Sequence, residues 1–130
     1  MPTQFYILHI EDDNDDVELL QDAFKDSGVS ASFDVIREGD KVIPWLTAGN
    51  KLPDLIVMDL NLPKMHGRDL LRIIKSKVQL SHIPIVILST SSSKEDIDYC
   101  LDNGAVQFIT KPTTAEGFGE AVRIITEAGI

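Results

Sequence analysis

The chain has 130 residues, 43% hydrophobic and 25% charged, the balance of one globular domain and not of a fibrous or disordered chain. Its 21 Asp and Glu against 12 Lys and Arg leave a net charge of −9, which disfavours nucleic acid and anionic membrane as partners. The lone Cys100 cannot close an intramolecular disulfide, and no apolar run approaches the roughly 18 residues of a membrane span, so the expectation is a cytoplasmic domain.

The apolar runs are short and mostly β-branched. They fall at Phe5 to Ile10, Ser32 to Ile36, Leu55 to Met58, Ile85 to Leu88 and Val106 to Ile109. Runs with little polar alternation suit strands buried on both faces of a parallel sheet. Between them lie amphipathic stretches. Val17, Leu20, Ala23 and Phe24 share one helical face that Gly28 terminates. The second helix is short, from about Pro44 to Ala48, because proline belongs in a first turn. Leu70, Leu71 and Ile74 mark the third. Ser92-Ser93-Lys94-Glu95 reads as a capping box opening a helix through Ile97, Cys100 and Leu101, ended by Asn103-Gly104. Thr113-Thr114-Ala115-Glu116 repeats that box before Phe118, Ala121, Val122 and Ile125. Strands alternating with helices predict an α/β, doubly wound, five-stranded parallel sheet with helices on both faces.

Ligands of such sheets bind beyond the carboxyl ends of the strands. Those ends carry Glu11-Asp12-Asp13, Asp59, Ser89-Thr90 and Thr110-Lys111-Pro112. Carboxylates gathered in one pocket repel one another, and a hard divalent cation removes the conflict. Asp12 and Asp59 are candidate direct ligands of Mg²⁺, with Glu11 acting through water. The turn Leu60-Asn61-Leu62-Pro63 is a source of a backbone carbonyl. A metal, the Lys111 ammonium and the Ser89 hydroxyl are what a transferring phosphoryl group needs to spread its charge. Asp59 is then the candidate nucleophile. The Lys111–Pro112 bond is a candidate for the cis form, which would aim the ammonium into the pocket. One of the residues from Asp13 to Asp16 is expected to cap the first helix, and Asp13 reads as surface or cap and not as a ligand.

Five motifs together resemble the receiver domain of bacterial two-component response regulators. They are Glu11-Asp12, the run from Val57 through Asp59, Asn61 and Pro63 to Gly67, the run from Ile83 to Ser89, Gly104-Ala105, and Lys111-Pro112. The resemblance implies a flavodoxin-like receiver fold with strand order 2-1-3-4-5, residues 1–130 forming one receiver domain with no attached effector. It implies that Asp59 is the phosphoacceptor. Mg²⁺, with Mn²⁺ able to substitute, is held by Asp12, Asp59, the Asn61 carbonyl and, through water, Glu11. Ser89 and Lys111 bind the phosphoryl group, Phe108 is the aromatic switch, and Asn61, Thr90 and Ser91 tune hydrolysis. Implied partners are a sensor histidine kinase or histidine phosphotransfer protein, a downstream protein target, and a second copy through the face of the fourth helix, fifth strand and fifth helix. Leu88-Ser89-Thr90-Ser91 and the long first loop Asn14-Asp15-Asp16 resemble stand-alone receivers of phytochrome-type kinases.

Phe108 lacks a phenolic hydroxyl, so any switch there works by packing. The family's chemistry is limited to the domain's own phosphorylation and dephosphorylation, which is not an enzyme's turnover. A phosphohydrolase with a strand-end Asp nucleophile fits less well, because its usual second Asp is replaced by Asn61. Flavin binding fits poorly, because the loop from Glu11 to Asp16 would repel a phosphate. An interaction module that works without phosphorylation remains a further alternative. His9, His66 and His82 have no zinc spacing and read as structural. Cys100 reads as core, and Arg68, Arg72 and Lys75 as a solvated helix face. Trp45 is left between packing the second helix and lining a partner surface.

Overall fold

The computed structural model describes residues 4–129. The elements run β1 (Phe5–Ile10), α1 (Asn14–Ser27), β2 (Ala31–Ile36), a 3₁₀ turn (Gly39–Lys41), α2 (Val42–Leu46), β3 (Leu55–Met58), α3 (Gly67–Ser76), β4 (Ile85–Ser89), α4 (Lys94–Asp102), β5 (Gln107–Thr110) and α5 (Ala115–Gly129). All strand pairs are parallel and the order is β2-β1-β3-β4-β5. The order of winding therefore reverses between β1 and β3, which opens a crevice beyond the carboxyl ends of those two strands.

The pleat sorts each strand's side chains between two cores. Leu8, Ile10, Ile56, Met58, Ile85 and Ile87 meet α2, α3 and α4 through Val42, Leu46, Leu70, Leu71, Ile74 and Cys100. Ile7, Leu55, Val57, Val86 and Leu88 meet α1 and α5 through Leu20, Phe24, Phe118, Val122 and Ile125. Each fully buried Leu, Ile or Phe contributes about 1.5–3 kcal/mol relative to exposure. That two-sided burial anchors β1, β3 and β4, the strands that carry Glu11, Asp59 and Ser89.

The predicted strands occupy the predicted places: β1 and β3 match, β2 starts one residue earlier, β4 ends one residue later, and β5 is shifted by one residue toward the C-terminus. The expectation of burial on both faces holds for β3 and β4, which are wholly buried. It fails for β2 and β5, which edge the sheet and are half-exposed. Gly28 ends α1 in the left-handed region at φ 81°, as predicted. α2 starts at Val42, two residues earlier than expected, because the 3₁₀ turn delivers the chain already coiled; Pro44 still lies in the first turn. Both helix caps fall one residue later than predicted, and with Gly117 at the third position Thr114 caps without the reciprocal acid of a box. Ser93 caps α4 by accepting from Asp96 N, and Thr114 Oγ1 accepts from Gly117 N at 3.0 Å. Leu101 faces solvent at 46% exposure, because only Cys100 on that turn of α4 points at the sheet.

Two of the three residues read as a solvated face are engaged. The Arg68 guanidinium lies 4.1 Å from the Tyr99 ring centroid and 3.3 Å from Asp96, and Lys75 donates to the carbonyls of Ser81 and Ile83. His66 Nδ1 accepts from Arg68 N and caps α3, a structural role. Trp45 is half-buried against the α2–α3–α4 core, so it packs its own helix. Among the described residues all peptide bonds are trans, Lys111–Pro112 included. No helix among them is long and apolar enough to cross a membrane.

Candidate phosphoryl and metal site

The register of β1 and β3 builds the pocket. Ile10 pairs with Met58, so Glu11 and Asp59 leave adjacent strands side by side, and Asp59 N donates to the Ile10 carbonyl at 3.0 Å. One oxygen each from Glu11, Asp12 and Asp59 lies within 4.8 Å of the others. Asp12 is exposed at the rim, whereas Glu11 and Asp59 are buried. Asp59 Oδ1 is fixed by the amides of Leu60 (2.7 Å) and Asn61 (3.4 Å). Gly67 makes that loop possible. Its amide donates to the Leu60 carbonyl at 2.8 Å, and it stands where a Cβ would lie 2.5 Å from the Asp59 carbonyl oxygen.

The opposite wall comes from β4 and β5. Lys111 N donates to the Ser89 carbonyl at 2.7 Å, so the Lys111 side chain enters the pocket from a trans bond. Its Nζ lies 2.7 Å from Glu11 Oε1, 2.7 Å from Asp16 Oδ2 and 3.0 Å from Asp59 Oδ2. Burial works against the Lys111 ammonium, but Asp16, Glu11 and Asp59 outweigh it and hold its pKa well above the ordinary lysine value. Ser89 is fully buried, and its Oγ accepts from Ser91 N at 3.3 Å. Thr90 is exposed, and Ser91 Oγ donates to Asp96 at 2.7 Å. Phe108 is half-buried, opposite Ile87 in the register and packed on the α2–α3–α4 side.

Of the run from Asp13 to Asp16, Asp13 is the helix cap. Its Oδ1 accepts from the amides of Asp15 and Asp16 and caps α1. Asp16 is the site residue that the sequence reading missed. The available signal was its position four residues after Asp12, in the first turn of a helix that starts at the pocket. His9 is buried with Nδ1 unpartnered, and burial, with the nearby Lys111 charge, lowers its pKa to about 3, so it is a neutral core group.

The pocket fits a divalent cation on its own chemistry. Glu11, Asp12 and Asp59 gather three carboxylates beside the single Lys111 ammonium, which sits 2.7 Å from Glu11 Oε1, so the cluster keeps a surplus of negative charge that a hard cation would satisfy. Burial and the Asp59 charge, only partly offset by Lys111, raise the Glu11 pKa to about 7. The raised value means that the metal-free fold gains from protonated Glu11 below pH 4.5 and loses that gain as pH climbs through 7. A cation reverses the preference. Mg²⁺ binding is therefore expected to release a proton near neutrality, its affinity falling up to about tenfold per pH unit below pH 7. Calorimetry in two buffers of different ionisation heat checks this, and a pH-independent affinity would contradict it.

A parallel sheet whose winding reverses between β1 and β3, with acids on one side of the crevice and a lysine on the other, is the architecture of a metal-assisted phosphoacceptor domain. The model of the response regulator receiver domain matches residues 7–123. The chain is 32% identical over 127 residues to the probable methanogenesis regulatory protein FilR2 of Methanothrix harundinacea, covering 95% of this chain and 82% of that one. It is 35% identical to the phosphorylated cyanobacterial phytochrome response regulator RcpA, with a TM-score of 0.88 over 98% of this chain and 94% of that one. The Mn²⁺-bound response regulator Rcp1 is 30% identical with a TM-score of 0.85, covering 95% and 92%. The chain belongs to the response regulator receiver domain family. Receiver domains of this family act in two-component signalling: they take a phosphoryl group from histidine kinases onto an aspartate and bind Mg²⁺ in their acidic pocket.

Proposed function

We propose that Asp59 is the phosphoacceptor. The observation that carries the reading is the placement of Lys111 Nζ 3.0 Å from Asp59 Oδ2, inside a cluster of carboxylates suited to a cation. The Leu60 and Asn61 amides hold Oδ1, leaving Oδ2 as the attacking atom once Lys111 shifts to the incoming phosphoryl oxygens. A phosphorus–oxygen bond to Asp59 forms, the phosphorus–nitrogen bond of a phosphohistidine breaks, and the leaving imidazole takes a proton from solvent. Asp12, Asp59, the Asn61 carbonyl and, through water, Glu11 would hold the metal, which would supply positive charge against the phosphoryl oxygens. Ser89 donates its hydroxyl to the phosphoryl group, giving up the hydrogen bond it accepts from Ser91. Phe108 repacks as Ser89 moves, and the α4–β5–α5 face changes its affinity for a protein target or a second copy. Asn61, Thr90 and Ser91 set how readily water reaches the acyl phosphate.

The domain turns over no separate substrate and works in the cytoplasm beside its kinase. A phytochrome-type histidine kinase, or a phosphotransfer protein charged by one, is the donor that the likeness to RcpA and Rcp1 supports.

The test is intact-mass analysis after incubation with Mg²⁺ and acetyl phosphate. Wild type is expected to gain one phosphoryl group, labile to base and hydroxylamine, and Asp59→Asn none. An adduct that persists in Asp59→Asn would move the acceptor elsewhere.

A further inference from the structure

The three carboxylates around Lys111 are not alike. Glu11 and Asp59 belong, with Asp12, to the cluster suited to a cation. Asp16 does not. It comes from the first turn of α1, and its side chain is 22% exposed against 1% for Glu11 and 6% for Asp59. An acid in a first turn gains from the helix dipole wherever it points. Asp15 beside it does so as an exposed residue. Asp16 instead reaches across the pocket to the residue that follows β5, and its Oδ2 accepts from Lys111 Nζ at 2.7 Å.

A divalent cation changes the balance among these contacts. Held by Glu11, Asp12 and Asp59, it draws on the oxygens that Lys111 also uses, and two positive charges sharing one carboxylate repel each other. The ammonium's hold on Glu11 and Asp59 weakens. Its hold on Asp16 does not, because Asp16 gives nothing to the metal. We infer that Asp16 is a positioning residue that keeps the Lys111 ammonium in the pocket once Mg²⁺ occupies Glu11 and Asp59, so that metal and ammonium meet an arriving phosphoryl group together. Without Asp16 every carboxylate partner of Lys111 is a metal ligand, and ammonium and metal compete for the same oxygens. This inference rests on the pocket being the Mg²⁺ and phosphoryl site proposed above.

The test is a cycle of four proteins: wild type, Asp16→Ala, Lys111→Met and the double variant, each first checked for fold by circular dichroism. Asp16→Asn keeps the side chain's shape and serves the same cycle if the alanine variant does not fold. Mg²⁺ affinity is measured by calorimetry on the unphosphorylated proteins. Removing Asp16 is expected to weaken Mg²⁺ on the order of tenfold when Lys111 is present. In the Lys111→Met background only a screened charge effect of about twofold should remain. The rate of phosphorylation by acetyl phosphate should follow the same pattern, falling on the order of tenfold with Lys111 present and unchanged without it. Equal losses of affinity in both backgrounds would mean that Asp16 acts as a charge alone, and no loss in either would mean that it does not act; both overturn the inference. The Mg²⁺ titrations need no phosphoryl transfer, so absence of an adduct on Asp59 would defeat the functional reading while the cycle still decided the role of Asp16.

Discussion

Lys111→Met is expected to lower the stability of the metal-free protein by about 3 kcal/mol and, at the same time, to tighten Mg²⁺ binding. The two effects have one origin. The Lys111 side chain is 8% exposed and touches Glu11, Asp16 and Asp59, two of them buried as deeply as itself. Removing one partner of a buried ion pair leaves charge uncompensated, which costs about 3–5 kcal/mol where the orphaned group cannot neutralise. Here burial already raises the Glu11 pKa to about 7 against the pull of Lys111, and losing the lysine raises it further, so Glu11 takes up a proton at neutrality and the lower end of that range applies. Methionine keeps the apolar stem and adds no polar group. Mg²⁺ then enters a pocket with no competing cation, and its affinity should rise about tenfold or more. Phosphorylation should nonetheless fall, on the order of 100-fold, because the ammonium that spreads charge on the transferring phosphoryl group is gone. Urea unfolding with and without Mg²⁺ checks the first two effects, and adduct formation over time checks the third. A Lys111→Met protein as stable as wild type without metal would show that the carboxylates do not depend on the lysine.

The sequence makes the chemical residues legible because β-strands simplify geometry. A strand-end residue of a parallel sheet emerges beyond the carboxyl edge whatever the helices do, so Glu11, Asp59, Ser89 and Lys111 could be assigned to one edge from their places after apolar runs. Which strands are neighbours was not carried by periodicity; the order came with the family likeness, and the register of Ile10 with Met58 then set Glu11 beside Asp59. Helix-borne residues are harder to place. The direction of Asp16 depends on the rotation of α1 about its axis and on how far a lysine stem reaches, and neither is local. The helix caps fall one residue later because Ser92-Ser93 and Thr113-Thr114 offer two equivalent hydroxyls, and only the path of the preceding loop selects Ser93 and Thr114. Arg68 reads as solvated from its own helix because its partners, Tyr99 and Asp96, lie on α4. The exposure of β2 and β5 reflects their position at the sheet's edges, which their composition does not announce.

Gly67→Ala should be among the most damaging single-methyl changes at this site, and Gly119→Ala should stabilise. Gly67 opens α3 at the point where the loop from β3 folds back on itself. A Cβ there would lie 2.5 Å from the Asp59 carbonyl oxygen and 2.7 Å from Leu60 Cα, both backbone atoms that no rotamer change can move aside. Relief requires shifting Leu60, whose amide holds Asp59 Oδ1, or opening the Gly67 N–H to Leu60 carbonyl bond. Overpacking that displaces backbone costs about 3 kcal/mol. The same displacement loosens the carboxylate that is to bind metal and attack phosphorus. Mg²⁺ affinity and phosphorylation should therefore both fall, the latter on the order of 100-fold. Gly119 lies in α5 with nothing within 4 Å of an added Cβ, so alanine there gains about 1 kcal/mol from helix propensity. The melting temperature should rise by about 3 °C, with phosphorylation unchanged. Combining the two changes separates stability from geometry. Gly119→Ala should recover part of the melting temperature lost in Gly67→Ala and none of its phosphorylation. Recovery of phosphorylation along with stability would mean that Gly67 matters only for folding, and that the close approach of α3 to the Asp59 loop does not set the geometry of the site.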